Sequence, residues 1–348
     1  MRNLVGEGTA ISLMNRGSLV TDDYLAQFES AWRPLDPQQA AVLAMIYRRY
    51  RGTRPVHQSS PAEARALDRD FSFFISAGAP ALPHVAERLI AAPSGQIRLR
   101  LYDPGVPAPA PAILFIHGGG FVTCDIDVYD GTARQLAHRC GMRLIAVDYG
   151  LAPEHPFPLP LHDCIAAVRH VERHGAEFGV DAGRLVLAGD SAGASLALAT
   201  AMALRDEGRS PIRAAALIYG CYSTNTATPS YRDYGGGAYL MSTADMVWYW
   251  RHYLVEGKGL GDPLAEPLLG KLEGLPPLHI SASEFDVLRS DSDELRGKVE
   301  AAGGVVSYEL WRGMIHASLN LAGWIEAMGP HVDAIGRFLR EKAIGNRQ

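Results

Sequence analysis

The chain lacks the features typical of a membrane protein or a nucleic-acid-binding protein. No run of about eighteen apolar residues occurs in its 348 residues, so we expect no membrane-spanning helix. The first charged residues are not followed by an apolar stretch, which argues against a secretory signal and favours a cytoplasmic protein. The net charge of −5 gives no reason to expect a nucleic acid or an anionic membrane as a partner.

Cysteine is scarce, and its spacing matches neither a metal site nor a redox motif. The four cysteines lie in or beside apolar runs, at Cys124, Cys140, Cys164 and Cys221. We therefore expect reduced, buried thiols. The phosphate-binding patterns G-x-G-x-x-G and G-x-x-x-x-G-K are also missing. The sequence thus carries no signal for a metal or for a nucleotide cofactor.

What the chain does contain is a regular alternation of apolar strands and helices. After an antiparallel hairpin predicted at residues 85–102, short apolar runs of strand length alternate with helical segments. The predicted strands are 112–116, 143–148, 184–188, 214–219, 278–283 and 305–310, and the helices between them are 132–139, 161–178, 192–205 and 290–302. Apolar strands separated by helices indicate an α/β fold, with a parallel sheet covered on both faces.

Two segments stand outside this alternation. Residues 1–84 contain helices and loops without strands, and two N-cap signals, Asp36-Pro37 and Ser60-Pro61-Ala62-Glu63, each predict the start of a helix there. Residues 223–267 hold a glycine-rich loop and an aromatic helix, and a long insertion of this kind is a candidate lid. We predict an N-terminal helical segment, 1–84, followed by a main domain, 85–348, that carries the insertion.

One serine stands where the backbone must turn sharply. Gly189-Asp190-Ser191-Ala192-Gly193 follows a predicted strand and opens a predicted helix. A G-x-S-x-G sequence in this context exposes the serine hydroxyl at the carboxyl edge of the sheet, above a helix N-terminus. A side chain at either glycine would collide with the neighbouring strand or helix. The context favours Ser191 as a nucleophile.

A serine hydroxyl is a weak nucleophile at neutral pH and needs a base and a residue that orients the base. Asp286 and His316 each follow a predicted strand, in the chain order Ser–Asp–His. Either residue alone has an ordinary structural interpretation, but both together, downstream of the turn, predict a catalytic triad. Glu284 and Asp291 are alternatives for the acid. We prefer Asp286, because Glu284 is too near the strand and Asp291 falls within the following helix.

A glycine-rich loop supplies candidate donors for a negatively charged carbonyl oxygen. His117-Gly118-Gly119-Gly120-Phe121 follows the first predicted parallel strand. Glycines there let backbone N–H groups face a substrate carbonyl without obstruction by a Cβ atom. We expect the N–H groups of Gly119, Gly120 and Ala192 to be the donors, while Gly118 shapes the turn.

Together with Asp148–Pro158 (D-Y-G-L-A-P-E-H-P-F-P), these motifs resemble the hormone-sensitive-lipase-like family of α/β-hydrolases, most closely its bacterial branch with G-D-S-A-G. The resemblance covers roughly residues 85–340. It implies an α/β-hydrolase fold, a triad of Ser191, His316 and Asp286, and an oxyanion hole from the glycine loop and Ala192. It also implies a helical cap built from the N-terminal segment and the insertion. The implied activity is that of an esterase for short-to-medium acyl chains, without a cofactor.

The sequence departs from the family pattern at Gly150, Val287 and Cys124, where arginine, proline and glycine are usual. None of these changes removes a predicted catalytic group. Asp148 and Glu154 lie at a strand end beside prolines, and we expect both to be buried, hydrogen-bonded scaffold residues.

The residues leave the reaction partly open. An amidase, a deacetylase or a lactonase acting on one metabolite could use the same triad, because the cap recognises the leaving group. A non-catalytic ligand receptor on this scaffold would be expected to lose a triad member, and all three are present. The partner predicted is a small-molecule ester, and a homodimer is compatible with the family. Four aromatic residues of the insertion either line a pocket or pack the cap, namely Tyr239, Trp248, Trp250 and Tyr253.

Overall fold

A single sheet organises the computed structural model, which describes residues 23–345. Its strands are β1 (His84–Ala92), β2 (Gly95–Asp103), β3 (Ala110–Ile116), β4 (Arg143–Val147), β5 (Val180–Asp190), β6 (Ile212–Ile218), β7 (Leu278–Phe285) and β8 (Val306–Ile315). They form an eight-stranded sheet in the order β1-β2-β4-β3-β5-β6-β7-β8. Strands β3 to β8 pair in parallel, whereas β2 is antiparallel to both β1 and β4. The predicted hairpin and parallel sheet are confirmed.

Helices cover both faces of this sheet. They are α1 (Asp23–Ala26), α2 (Glu29–Trp32), α3 (Pro37–Arg49), α4 (Pro61–Ile75), α5 (Asp130–Cys140), α6 (Leu159–His174), α7 (Ala192–Asp206), α8 (Pro229–Tyr234), α9 (Thr243–Tyr253), α10 (Arg289–Ala301) and α11 (Met328–Ile344). Helices α6, α7, α9 and α10 share one apolar core, and α3, α4, α5 and α11 share the other. Within residues 23–345 we find no helix that combines the length and the apolar character needed to cross a bilayer.

The strands are buried on both faces because their side chains alternate between the two cores. In β3, Leu114 and Ile116 belong to the core around α7, whereas Ile113 and Phe115 belong to the core around α11. All four side chains are almost completely buried. This explains why the strands are continuous apolar runs in the sequence rather than alternating patterns.

The two predicted helix starts are confirmed in atomic detail. The Asp36 carboxylate accepts hydrogen bonds from the N–H groups of Gln38 and Gln39 at the start of α3. Ser60 and Glu63 form the reciprocal capping box at the start of α4. Both helices carry proline at the first position, where no intrahelical donor is needed.

Beyond the predicted helices, the structure has a further helix, α11, over residues 328–344. Gly329, Pro330 and Gly336 disfavour a helix on propensity alone. Pro330 lies in the first turn, where its missing N–H costs no hydrogen bond. Gly336 lies against α5, where a Cβ atom would be 2.8 Å from the Cα atom of Cys140. Close packing against α5 therefore overrides the low propensity.

The N-terminal segment contacts both the main domain and the insertion. Val42 and Ile46 of α3 are buried in the core that contains α11. In the other direction, the Trp32 indole donates to the carbonyl of Ala238, at 2.7 Å. Residues 1–22 of the predicted segment 1–84, and residues 346–348 of the main domain, lie outside the described residues. The domain boundaries remain a prediction.

Candidate active site

The backbone at Ser191 has the sharp turn that its sequence predicts. Ser191 follows the last residue of β5, precedes α7, and has φ +54° and ψ −124°, a strained conformation for a residue with a Cβ atom. Its N–H group donates to the carbonyl of Ile218 in β6 at 2.9 Å. A Cβ atom at Gly189 would collide with the carbonyl of Gly193, and one at Gly193 with the carbonyl of Ile116. The two glycines are therefore sterically required.

The structure brings the three predicted triad residues into one hydrogen-bonded chain. His316 directly follows β8 and Asp286 directly follows β7, so both lie at the carboxyl edge of the sheet together with Ser191. The His316 Nε2 atom is 3.0 Å from the Ser191 Oγ atom, and its Nδ1 atom is 2.8 Å from Asp286 Oδ2. With the proton on Nδ1, the imidazole donates to the carboxylate and accepts from the hydroxyl. All three residues are buried.

The electrostatic environment holds the imidazole in a state suited to proton transfer. Burial by itself lowers the pKa of His316, but the charge of Asp286 and its hydrogen bond outweigh burial, so that the pKa is raised above its ordinary value. The second oxygen of Asp286 accepts from the N–H of Leu288 at 2.9 Å, which fixes the carboxylate. The base is therefore oriented and its protonated form is stabilised.

The glycine loop presents N–H groups beside Ser191. Gly119 and Gly120 have φ angles of +101° and +58°, and a Cβ atom would collide with the Thr123 carbonyl at the first and with the Tyr249 ring at the second. Among residues 23–345, we find no acceptor for the N–H groups of Gly119, Gly120 or Ala192. Three donors are thus free to bind a charged oxygen.

The loop is also held by the buried carboxylate of Asp190, the residue before Ser191. One oxygen of this carboxylate accepts from the N–H of Gly118 at 3.0 Å, and the other accepts from the hydroxyl of Tyr129 at 3.0 Å. Burial raises the pKa of Asp190 to about 6, while these hydrogen bonds and the nearby His316 act in the opposite direction. The N–H of Gly118 is therefore bound to Asp190, unlike those of Gly119 and Gly120.

Neither alternative acid contacts the imidazole in the described part of the chain. Glu284 lies in β7 and accepts from the N–H of Gly313 at 2.9 Å. Asp291 lies in α10 and accepts from the N–H groups of Tyr222 and Ser223, at 2.8 and 3.1 Å. Burial raises the pKa of Asp291 to about 8. Both carboxyl groups support backbone, which leaves Asp286 as the group beside the imidazole.

The expectation for the scaffold carboxylates is wrong for one of them. Asp148 is half-buried and accepts from the Arg98 Nε atom at 2.8 Å. Glu154, in contrast, is exposed, and it forms an ion pair with Arg65 of α4. Because Arg65 belongs to the N-terminal segment, it binds Glu154 at the surface of the main domain, where the carboxylate stays exposed to solvent. Sequence reasoning missed Arg65, because no local pattern links it to a partner 89 residues away.

A cavity of about 480 Å³ opens over Ser191 and His316. Most of the lining residues belong to the N-terminal segment and the insertion, and they include the apolar and aromatic residues Tyr47, Tyr50, Val56, Phe71, Leu240, Met241, Tyr249 and Trp250. Both interpretations of the insertion's aromatic residues are correct in part. Trp250 lines the cavity, whereas Tyr253 stacks on Phe121 and Trp248 donates to the carbonyl of Ser59.

Over residues 23–345, no group of three or more His, Cys, Asp or Glu side chains is arranged to hold a metal ion. All four thiols are free, and only Cys124 is less than fully buried. Burial raises the pKa of Cys124, which keeps its thiol protonated.

The mostly parallel sheet, the serine on a strained turn and the Ser–His–Asp chain together define a serine hydrolase of the α/β type. A family model described as the alpha/beta hydrolase fold matches residues 113–320. The chain belongs to the α/β-hydrolase family, in its hormone-sensitive-lipase-like branch.

Its relatives in sequence and structure are esterases. The chain is 36% identical over 249 residues to the esterase LipI of Mycobacterium tuberculosis, which covers 70% of this chain and 77% of the relative. It is 31% identical over 301 residues to an ethyl acetate hydrolase of Pseudomonas putida, covering 84% and 94%. A solved thermostable esterase from Pseudomonas putida superposes with a TM-score of 0.85 at 29% identity, covering 90% of this chain and 99% of that one.

Proposed function

We propose that the protein is a serine carboxylesterase that hydrolyses small esters with short-to-medium acyl chains. The observation that supports this most is the hydrogen-bonded chain from Ser191 through His316 to Asp286 at the floor of an apolar cavity. The esterase and ester hydrolase names of its relatives support the reaction class. A non-catalytic receptor would have no need of this assembled set.

The geometry supports acyl transfer in two steps. His316 Nε2 removes the proton of Ser191 as Oγ attacks the ester carbonyl carbon, and Asp286 stabilises the imidazolium. The carbonyl oxygen becomes negatively charged and accepts from the N–H groups of Gly119, Gly120 and Ala192. The imidazolium then gives its proton to the departing alcohol. Water, activated by the same imidazole, hydrolyses the acyl-enzyme and releases the carboxylic acid.

The N-terminal segment and the insertion act together as the cap in this proposal. Their mutual hydrogen bonds, such as the one from Trp248 to Ser59, support a common wall over Ser191. The proposal also includes action on a small-molecule ester in the cytoplasm, and a homodimer. Fractionation of cells and light scattering of the purified chain test these two points.

Substitution of the nucleophile tests the function. Ser191→Ala removes the attacking oxygen, so we expect kcat for p-nitrophenyl acetate to fall by about 10⁴–10⁶-fold. The matched control is Ser195→Ala one turn into α7, where the hydroxyl donates to the carbonyl of Cys221 and not to His316. A fluorophosphonate should label the native chain and the control but not Ser191→Ala. Near-normal turnover by Ser191→Ala would disprove the assignment.

A substrate panel tests the acyl range and the leaving group. We expect turnover of p-nitrophenyl esters to be highest for short acyl chains and to fall once the chain exceeds the cavity of about 480 Å³. Matched amides and lactones and a set of acetylated metabolites belong in the same panel. Faster hydrolysis of any of these than of the esters would move the function to an amidase, a lactonase or a deacetylase.

A further inference from the structure

The glycine loop at residues 117–124 has a conformation that its own backbone does not favour. Besides its glycines, Phe121 and Cys124 have positive φ angles, of +67° and +65°. Residues with a Cβ atom keep such angles only where surrounding contacts hold them. The contacts on the loop therefore decide whether its N–H groups stay in place.

The main domain holds the first part of this loop. Asp190 accepts from the N–H of Gly118, as described above, and the N–H of Ala152 donates to the carbonyl of Phe121 at 2.9 Å. These bonds come from Asp190, the last residue of β5, and from Ala152 in the segment after β4. The two hydrogen bonds hold Gly118, near the start of the loop, and Phe121, at its middle.

Helix α4 of the N-terminal segment holds the second part. Arg65 and Asp68 are three residues apart and therefore project from the same face of α4. The Arg65 Nε atom donates to the carbonyl of Val122 at 2.8 Å. The Cys124 thiol donates to an oxygen of Asp68, which lies 3.5 Å from the Sγ atom.

Arg65 ties the loop to a second segment at the same time. Its Nη2 atom donates to the carbonyl of Ala152 at 2.9 Å, and its fork binds the Glu154 carboxylate at 2.8 and 2.6 Å. A planar guanidinium can make these bonds simultaneously, which a lysine ammonium cannot reproduce. The hydrogen bonds to Ala152 and Glu154 therefore fix the Arg65 side chain in the position from which it donates to Val122.

Residues 122–124 are coupled to the N–H of Gly120, a predicted oxyanion donor, through the peptide group that joins Gly119 and Gly120. The N–H groups of Val122 and Thr123 both donate to the carbonyl of Gly119, at 3.0 and 2.9 Å. That carbonyl belongs to the same planar peptide as the N–H of Gly120 and points the opposite way. A shift of residues 122–124 would therefore turn the Gly120 N–H away from the substrate.

We propose that Arg65 and Asp68 are positioning residues, which hold residues 122–124 so that the N–H of Gly120 stays aimed at the developing oxyanion. The inference rests on the proposed esterase function, since that function makes the Gly120 N–H a donor. It gives the N-terminal segment a part in the chemical step as well as in the cavity wall. Neither side chain touches the reacting atoms.

The kinetic test separates positioning from substrate contact. Asp68→Ala and Arg65→Gln should each lower kcat for p-nitrophenyl acetate by about 10- to 100-fold, less than the loss of a whole donor, with KM changed less than about threefold. Asp68→Asn should recover most of kcat, because its amide oxygen still accepts from Cys124. The control is Arg69→Ala on the exposed side of the same helix. A raised KM with unchanged kcat would instead make Asp68 a substrate contact and overturn the proposal.

Hydrogen exchange gives a readout that does not depend on turnover. In Asp68→Ala the amides of residues 119–124 should exchange faster, while those of β5 and α7 keep the native rate and the melting temperature stays well above the assay temperature. Unchanged exchange in the loop, or faster exchange throughout the chain, would contradict the positioning role. If the native chain hydrolyses no ester, the proposed function is wrong, and the exchange rates still decide whether α4 holds the loop.

Discussion

The reacting groups and the cavity walls are held in place by different kinds of interaction. Ser191, Asp286 and His316 each follow a strand of one sheet, so the ladder of backbone hydrogen bonds fixes their positions. The walls come from two segments far apart in the chain, and side chains join them. One example is the bond from the Tyr47 hydroxyl to the carbonyl of Gly237. A rigid scaffold for chemistry is thus combined with walls that single substitutions can remodel.

This difference predicts that substitutions at the sheet edge change kcat, whereas substitutions between the wall segments change KM. The loop at residues 117–124 lies between the two classes, since both the main domain and α4 hold it. The distinction can be tested at the acid, at the loop, through the pH dependence of the base, and between the walls.

The largest effect is expected at the acid. Asp286→Asn should lower kcat by about 10⁴-fold, because the amide no longer stabilises the imidazolium and favours the wrong tautomer. The matched control is Asp291→Asn, another buried carboxyl near the site, whose two backbone donors share one oxygen that an amide can replace. Steady-state kinetics on p-nitrophenyl acetate should show less than a tenfold change for the control. The reverse ranking would make Asp291 the acid.

The sequence predicts best the residues whose partners lie within the same strand–turn–helix unit. Gly189 and Gly193 surround Ser191 because local sterics leave no room for a Cβ atom, and the helix caps at Asp36 and Ser60 are equally local. These features can be read from a few consecutive residues. The order Ser–Asp–His adds the long-range step, because carboxyl ends of parallel strands meet at one edge.

The remainder depends on contacts that no local pattern encodes. Arg65 binds residues 57 and 87 positions away, at Val122 and Ala152, so its role is invisible before the chain is folded. Helix α11 tolerates Gly336, a poor helix former, where it packs closely on α5. The exposure of Glu154 also depends on a distant contact, because its partner Arg65 belongs to another segment of the chain.

At the loop, the effect should be intermediate. Gly120→Ala places a Cβ atom against the Tyr249 ring at a φ of +58°, so the Gly120 N–H must move, and we expect kcat to fall by about 10²–10³-fold. Gly297→Ala in α10, where a Cβ atom meets nothing within 4 Å, is the control. In a Tyr249→Ala background the same substitution should cost less. Equal losses in both backgrounds would show that the wall does not act on this donor.

The pH profile tests the electrostatic part of the sheet-edge site. The pKa of His316 is raised above its ordinary value of about 6.5, and only the neutral imidazole accepts the serine proton. Lowering the pH through that pKa protonates the base, so kcat/KM should fall about tenfold per pH unit on an acid limb that starts above pH 6.5. A limb centred below pH 6 would mean that burial outweighs Asp286. Measurement at pH 5–9 in buffers of constant ionic strength decides this.

The smallest effect is expected between the wall segments, at His57 and Asp245. The His57 Nδ1 atom is 2.8 Å from Asp245 Oδ1, and the His57 N–H reaches the same oxygen at 3.2 Å. Asp245 also caps α9 through its other oxygen. We therefore replace His57 rather than Asp245. His57→Ala leaves that cap intact and removes one side-chain link across the cavity mouth.

We expect His57→Ala to raise KM about two- to tenfold, because a hydrogen bond of this kind contributes about 0.5–1.5 kcal/mol to holding the wall, with kcat changed less than twofold. His174→Ala, a half-exposed histidine that does not line the cavity, should change neither constant. The decisive measurement is the split between KM and kcat on a medium-chain ester that fills the cavity. A fall in kcat at constant KM would show that the wall segments act on the triad itself, and the two regions would then form one mechanical unit.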